Sequence, residues 1–288
     1  MRGILLMIGA AFLFTCMASL VKMGTSELGY HPLEVVLWRS VGSIPPALWL
    51  ARGHLRVASP GWLAARCGFG FAAMFAWFNA TRGLGIGELS VLIRLQPVFV
   101  GLLAPALLGG HERATPVVWG ATILGLTGSA VLFSPDLAAM DTVRLGFAGL
   151  ALFSACSSAV AHTALRALGA TDDPRTTVFW FQVAAALFAT GLVGITGVEL
   201  QSPPLAHLPI LLGIGLFAVS GQLLLTAAYQ AEHAPTVAAA SYVGPLFGFV
   251  IDVIVFGLVP SWLDGLGTAI VIAAGLLLVR AHARRAPA

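Results

Sequence analysis

The chain of 288 residues is 58% hydrophobic and only 9% charged, and its mean hydropathy is +0.93. Soluble domains carry about a quarter charged residues, so these few charges cannot cover a soluble surface. Apolar runs recur from one end of the chain to the other, which predicts that the whole chain is a membrane domain. The net charge of +3 is spread over single arginines, so binding to nucleic acid is not expected.

The sequence predicts an all-α integral membrane protein of ten transmembrane helices. Breaks at glycine, proline and charged residues leave stretches of about 20 apolar residues, which is the length that crosses a bilayer core. In chain order the predicted helices cover residues 3–23, 32–51, 62–83, 88–109, 116–133, 144–168, 175–197, 207–230, 234–257 and 262–281. We expect the first helix to be retained, because the small residues that would precede a cleavage at Cys16 are absent.

Basic residues gather at one set of predicted helix ends, on the side of both termini. This set is Arg2, Arg52, Arg56, Arg66, Arg113, Arg166, Arg175, Arg280, Arg284 and Arg285. The opposite set holds only Lys22, Arg82 and Arg144. Because cytoplasmic loops are enriched in Lys and Arg, we expect both termini in the cytoplasm and an even number of helices in the inner membrane.

The two halves of the chain, residues 1–138 and 139–288, align with each other and predict an internal duplication. From the third helix onward one offset of 148 residues needs no gap, and a slightly smaller offset aligns the second helix with the seventh. The matched pairs are Pro97 with Pro245, Gly109 with Gly257, Pro32 with Pro174 and Trp38 with Trp180. Five helices in each half make the second copy enter from the opposite side, giving inverted repeats around a central cavity that suit alternating access.

Polar side chains on membrane helices normally face the bundle interior, so they are the first candidates for substrate contacts. The predicted substrate-binding residues are Trp77, Phe78, Arg94, Ser158, His162, Gln222 and Tyr242, with Pro97 and Pro245 as hinges or gates. Each has a structural alternative. Serine and threonine bond to their own helix carbonyls, a histidine makes an interior hydrogen bond, aromatic side chains face lipid, and proline merely kinks a helix.

Two arginines fall inside predicted helices. Arg39 and Arg94 each lie about two turns from the helix start, where an unpaired arginine costs at least about 2.5–3.5 kcal/mol. They are expected to snorkel outward, to pair with a carboxylate such as Glu34 or Asp252, or to meet an anionic substrate group. A structural role is favoured for Arg39, whereas the alternatives are balanced for Arg94.

No enzyme signature is present. The sequence has no H-E-x-x-H zinc pair, no G-x-x-x-x-G-K-[ST] phosphate loop and no G-x-S-x-G nucleophile elbow. Asp172 and Asp173 stand without the second acidic cluster that a membrane prenyltransferase would use to hold magnesium. We therefore expect neither catalysis nor a metal or other cofactor.

The pattern resembles the EamA-type branch of the drug/metabolite transporter superfamily. The features that carry the resemblance are the duplication, the stretch from Pro32 to Arg39, the matched prolines and Gly110-His111-Glu112 before a glycine-bearing helix. The second half departs from it, with Pro260 in place of Glu112 and Phe181 in place of Arg39. Those two first-half residues are therefore expected to serve the architecture of the first half.

The resemblance implies an inner-membrane exporter of small amphipathic metabolites, foremost neutral and aromatic amino acids. Trp77, Phe78 and Tyr242 would contact the side chain, and Gln222, His162 or Arg94 would bind the carboxylate. The alternatives are a transporter of drugs, organic anions or nucleotide sugars, and a membrane enzyme or scaffold without transport. Ala121, Gly125 and Ser129 offer a small-residue face that suits helix packing, and a homodimer is a further hypothesis.

Overall fold

The computed structural model describes residues 1–80, 83–84, 86–132, 142–257, 259 and 261–283. Within these ranges the regular structure is entirely helical, which confirms the predicted all-α character. Six helical stretches in this part of the chain are long and apolar enough to cross a membrane, and two shorter apolar helices accompany them.

Eight of the ten predicted spans coincide with single helices to within three residues at each end. These helices are α1 (Arg2–Lys22, continued by a π-helical turn Met23–Glu27), α2 (Pro32–Leu50), α3 (Pro60–Ala80), α6 (Pro116–Leu132), α7 (Thr142–Leu168), α8 (Pro174–Thr196), α9 (Leu208–Ala231) and α12 (Trp262–Ala283).

The other two predicted spans each contain a short interruption of the α-helix, although each still includes a helical stretch long and apolar enough to cross a membrane. Residues 88–109 form α4 (Ile86–Ile93) and α5 (Gln96–Leu108), and residues 234–257 form α10 (Ala234–Ala240) and α11 (Gly244–Phe256). Pro97 and Pro245 are the second residues of α5 and α11. Proline has no N–H to bond backwards, and it is well tolerated in a first helical turn.

Contacts between loops assign the helix ends to two ends of the bundle. At one end the Met1 amino group pairs with Glu232 at 3.5 Å, and Arg166 pairs with Glu112. We call this the basic end. At the opposite end the Tyr30 hydroxyl lies 2.8 Å from His207 Nδ1. These contacts place the start of α1 and the ends of α7 and α9 at the basic end, and the end of α1 and the start of α9 at the opposite end. The prediction of cytoplasmic termini stays a prediction.

Close helix pairs hold the bundle together. The most extensive pairings are α3 with α7, α1 with α9, α6 with α12, α2 with α8 and α2 with α9. Small residues allow the close approach: Gly42 meets Gly215, and the Ser43 hydroxyl donates to the Gly215 carbonyl at 2.9 Å. Such packing is typical of helices in lipid, where there is no apolar driving force between them.

The small-residue face of α6 is occupied within the chain. Ala121 and Ser129 are buried, and a Cβ on Gly125 would come within 2.6 Å of the Tyr242 ring. This face is therefore not free to form a homodimer, which remains a hypothesis without an assigned surface.

Candidate functional site

The first feature of the interior is a buried arginine that the sequence analysis placed with the helix-end charges. Arg66 is only 3% exposed. Its Nη2 donates to Gln222 Oε1 at 2.8 Å, and its guanidinium carbon lies 4.0 Å from the centre of the Phe181 ring. The assignment of Arg66 to a helix end was wrong, because α3 packs against α8 and the side chain bonds to Gln222 of α9, which places the head group between helices.

Arg39 is the second interior arginine. It is 9% exposed, and its Nη1 lies 3.7 Å from the Met74 sulfur. Of the alternatives left open for Arg39, pairing with Glu34 is not the one observed: Glu34 accepts a hydrogen bond from the Gln201 backbone N–H at 2.7 Å. Residues five apart project from different faces of a helix, so the two side chains diverge. The side chain of Asp252, the other candidate partner, lies outside the described part of the structure.

The residues that contact the two arginines occupy equivalent positions in the two halves of the chain. Met74 and Gln222 are separated by the 148-residue offset, and Phe181 is the residue that aligns with Arg39. In the first half Arg39 contacts Met74. The equivalent residues of the second half are Phe181 and Gln222, and Arg66 contacts both of them.

A hydrogen-bonded group of Gln96, His162 and Tyr229 lies near these arginines. Gln96 Nε2 is 2.9 Å from His162 Nδ1 and 3.5 Å from the Tyr229 hydroxyl. The rings of His162 and Tyr229 stack with centroids 5.0 Å apart. Tyr229 lies about two turns from Gln222, the partner of Arg66, on α9.

We refer to these residues together as the polar cluster: Arg39, Arg66, Gln96, His162, Gln222 and Tyr229. Helices from both halves contribute to it, namely α2, α3, α5, α7 and α9. Its charged side chains are cationic, and its other polar groups are neutral amides, a phenol and an imidazole. Such a cluster can hydrogen-bond an anionic group of a small molecule.

Arg94 and Tyr242 meet at the two helix breaks. The Tyr242 hydroxyl donates to the backbone carbonyl of Arg94 at 2.7 Å, which satisfies a carbonyl freed where α4 ends. The Arg94 guanidinium lies over Gly244, where a Cβ would come 3.4 Å from Nη1. The breaks lie 148 residues apart, just before Pro97 and Pro245, and the role of these prolines as hinges or gates stays a prediction.

The remaining predicted residues are spread along the helices. Ser158 is half-buried on α7, one turn before His162. Trp77 packs with Phe147 and Leu150 in an apolar cluster, and it lies eleven residues, about 16 Å, along α3 from Arg66. The side chain of Phe78 lies outside the described residues. The structure therefore brings Arg94 and Tyr242 together, places His162 and Gln222 on the packed helices α7 and α9, and places Trp77 beside an apolar cluster.

The polar cluster includes residues that were absent from the predicted site. Tyr229 shares a helical face with Gln222, and Gln96 precedes the matched Pro97, so both carried a signal. For Arg66 the sequence held no signal that distinguishes a buried side chain from one that snorkels to the surface, because a long side chain near a helix end can adopt both positions.

Glu112 was expected to serve the architecture of the first half alone, but it bonds to residues of the second half. It is fully buried. One carboxylate oxygen accepts from Arg166 Nε at 2.7 Å, and the other accepts from the Ala234 backbone N–H at 2.9 Å. The first N–H groups of a helix lack intrahelical partners and attract an anion. The Glu112 carboxylate therefore stabilises the start of α10, which belongs to the second half of the chain.

Comparison with curated proteins gives full-length relatives. The chain is 28% identical to the pseudopaline exporter CntI of Pseudomonas aeruginosa, over 96% of each chain. It is 26% identical to a riboflavin transporter of Rhizobium johnstonii, over 98% of this chain and 92% of that one. It is also 26% identical to solute carrier family 35 member G1 of Homo sapiens, over 93% of this chain and 76% of that one.

The fold and the family agree with these relatives. A protein of known crystal structure superposes with a TM-score of 0.77 at 20% identity, covering 96% of this chain and 98% of that one. The sequence profile described as the EamA-like transporter family matches residues 1–134 and again residues 146–280. The chain therefore belongs to the EamA-like transporter family, and it is a multi-pass membrane transporter rather than an enzyme.

Proposed function

We propose that this protein exports small amphipathic metabolites that carry a carboxylate, with neutral and aromatic amino acids among the first candidates, across the inner membrane by alternating access. The observation that carries the proposal is the polar cluster, in which buried guanidinium groups lie where helices of both halves meet. Two inverted five-helix repeats, each spanning the membrane five times, form the transport unit.

Several observations support the inverted repeat. The family profile matches the chain twice in succession, and the helix breaks fall at positions related by the repeat. Exchanging the halves converts the α1–α9 pairing into α7–α3 and leaves the α2–α8 and α6–α12 pairings unchanged, and all four pairings are present. An odd number of helices in each half requires the halves to face opposite ways.

Equivalent contacts at the two ends support alternating access. At the basic end Asp172 accepts the backbone N–H groups of Ala58 and Ser59 at 2.8 and 3.1 Å. At the opposite end Tyr30 bonds to His207. Tyr30 aligns with Asp172 and Ser59 aligns with His207 at the offsets of the repeat. Contacts at equivalent positions of the two halves thus join helices at opposite ends of the bundle. Opening one end while closing the other would exchange the environments of these two contacts.

The polar cluster suits a solute with an acidic group and an apolar body. Arg66 and Gln222 offer hydrogen bonds to a carboxylate, while Phe181 and Tyr229 offer aromatic surface beside them. Relatives named as an exporter of pseudopaline and a transporter of riboflavin support small organic solutes as the cargo. Amino acids with apolar side chains satisfy the same description.

The test is counterflow in proteoliposomes with a panel of labelled solutes that includes phenylalanine, tyrosine and leucine. We expect exchange above that of protein-free vesicles, with Gln222→Ala and Tyr242→Ala reducing flux. Arg175→Gln, a change at an exposed position of the basic end, is the matched control and should retain it. If no solute in a broad panel exchanges while the purified protein remains helical and monodisperse, the transport proposal fails, and a scaffold function is favoured.

A further inference from the structure

We infer that the substrate carries two anionic groups, one for Arg39 and one for Arg66, as a dicarboxylate does. This inference rests on the proposed transport function, and among the carboxylate-bearing candidates named there it favours dicarboxylates over neutral amino acids. It begins with the observation that both side chains are more than nine-tenths buried. In each guanidinium the Nε atom is fully buried and has no hydrogen-bond partner.

Neither guanidinium has an acidic partner among the residues that the structure describes. The ion pairs found there join Met1 with Glu232, Arg166 with Glu112 and His233 with Glu232. Arg39 is bonded only to a thioether sulfur, and Arg66 to a neutral amide. A charge held away from water is normally paired, so an anionic group on the solute would supply a counter-charge that the described residues do not provide.

The buried carboxylates of the described chain are already engaged elsewhere. Glu112 binds Arg166 and the start of α10, Asp172 binds the start of α3, and Glu34 binds the Gln201 backbone. None is available to neutralise the polar cluster without breaking a contact that holds an end of the bundle. Among the described residues no buried carboxylate is left for the two guanidinium groups, and the inference assigns that role to the solute.

Two separate anionic groups fit the arrangement better than one. Arg39 extends from α2 and contacts Met74 of α3, whereas Arg66 extends from α3 and bonds to Gln222 of α9. Each guanidinium therefore offers a separate binding position for a carboxylate. Met74 lies about two turns from Arg66 on α3, so the two positions are neighbouring but separate. A neutral amino acid brings one carboxylate together with an ammonium group, which adds a third positive charge to a site that already holds two.

Three phenyl compounds test this inference, because they differ mainly in charge: 2-phenylsuccinate with two carboxylates, 3-phenylpropionate with one, and L-phenylalanine as a zwitterion. Binding to the purified full-length protein in detergent is measured by calorimetry, and exchange is measured separately in proteoliposomes. We expect 2-phenylsuccinate to bind at least about tenfold more tightly than 3-phenylpropionate, the ratio that one additional hydrogen-bonded charge provides.

Arg39→Gln and Arg66→Gln should each abolish this preference, whereas Arg175→Gln should keep it. The comparison of ligands on the unmodified protein tests the inference even if a variant fails to fold. Equal affinities, tighter binding of L-phenylalanine or no binding of 2-phenylsuccinate would overturn the dianion inference. Transport would still stand if another solute of the panel exchanges. Absence of exchange for every solute would instead remove the proposed function itself.

Discussion

The ion pair between Glu112 and Arg166 should be one of the strongest single contacts between the halves, and a double-mutant cycle can measure it. Glu112→Ala removes a fully buried carboxylate that accepts from Arg166 Nε and from the Ala234 backbone N–H. Arg166→Ala removes the guanidinium, which also donates to the Gln230 carbonyl at 3.0 Å. The carboxylate thus loses one of two partners in the second variant and is itself lost in the first.

The magnitudes follow from burial. Each hydrogen bond to a charged group contributes about 1.5–3 kcal/mol, and removing one partner of a buried pair costs about 3–5 kcal/mol. The Arg166 side chain keeps 26% of its surface exposed, so water partly compensates it when Glu112 is removed. The buried Ala234 N–H, in contrast, is not reached by water and would lose its hydrogen-bond partner. We expect Glu112→Ala to lower the free energy of unfolding by about 3–4 kcal/mol, with a coupling energy of about 2 kcal/mol.

The assay is reversible unfolding in mixed detergent and SDS micelles, followed by circular dichroism. Arg175→Ala, a change to an exposed arginine at the same end, controls for the loss of positive charge and should shift stability by less than about 0.5 kcal/mol. A coupling energy below about 0.5 kcal/mol would show that the two side chains act independently. In that case the reasoning that the buried pair fastens the halves together would be refuted.

Three further changes test other contacts by the same unfolding assay. Tyr242→Phe should cost about 0.5–1.5 kcal/mol, because the hydroxyl is the donor to the Arg94 carbonyl at the helix break; an unchanged midpoint would refute that role. Gly125→Ala should cost about 1–3 kcal/mol through overlap with the Tyr242 ring, whereas Gly120→Ala on the same helix has 3.7 Å of clearance and should be tolerated. Glu34→Gln should be neutral or stabilising within about 1 kcal/mol, because one oxygen of this buried carboxylate has no partner; a loss of more than about 2 kcal/mol would contradict this.

The sequence by itself determined the helices and their order. In lipid every backbone N–H and C=O must be satisfied within its own segment, so a run of about 20 apolar residues bounded by proline, glycine or charge specifies a helix locally. Eight spans were therefore placed to within three residues. The matched prolines likewise marked the two positions where helices break, although not that the helices would end there.

Only the tertiary structure decided which polar side chains meet. Arg66 and Arg175 both follow the start of a helix near the basic end, yet one is buried against Gln222 and the other is exposed. Glu112 contacts a helix start more than a hundred residues away. A side chain's partner depends on the rotation of its helix and on the neighbour that packs there, and neither is written in local hydropathy. For that reason the fold was readable from the sequence, while the arginines available to an anion became visible only in the folded bundle.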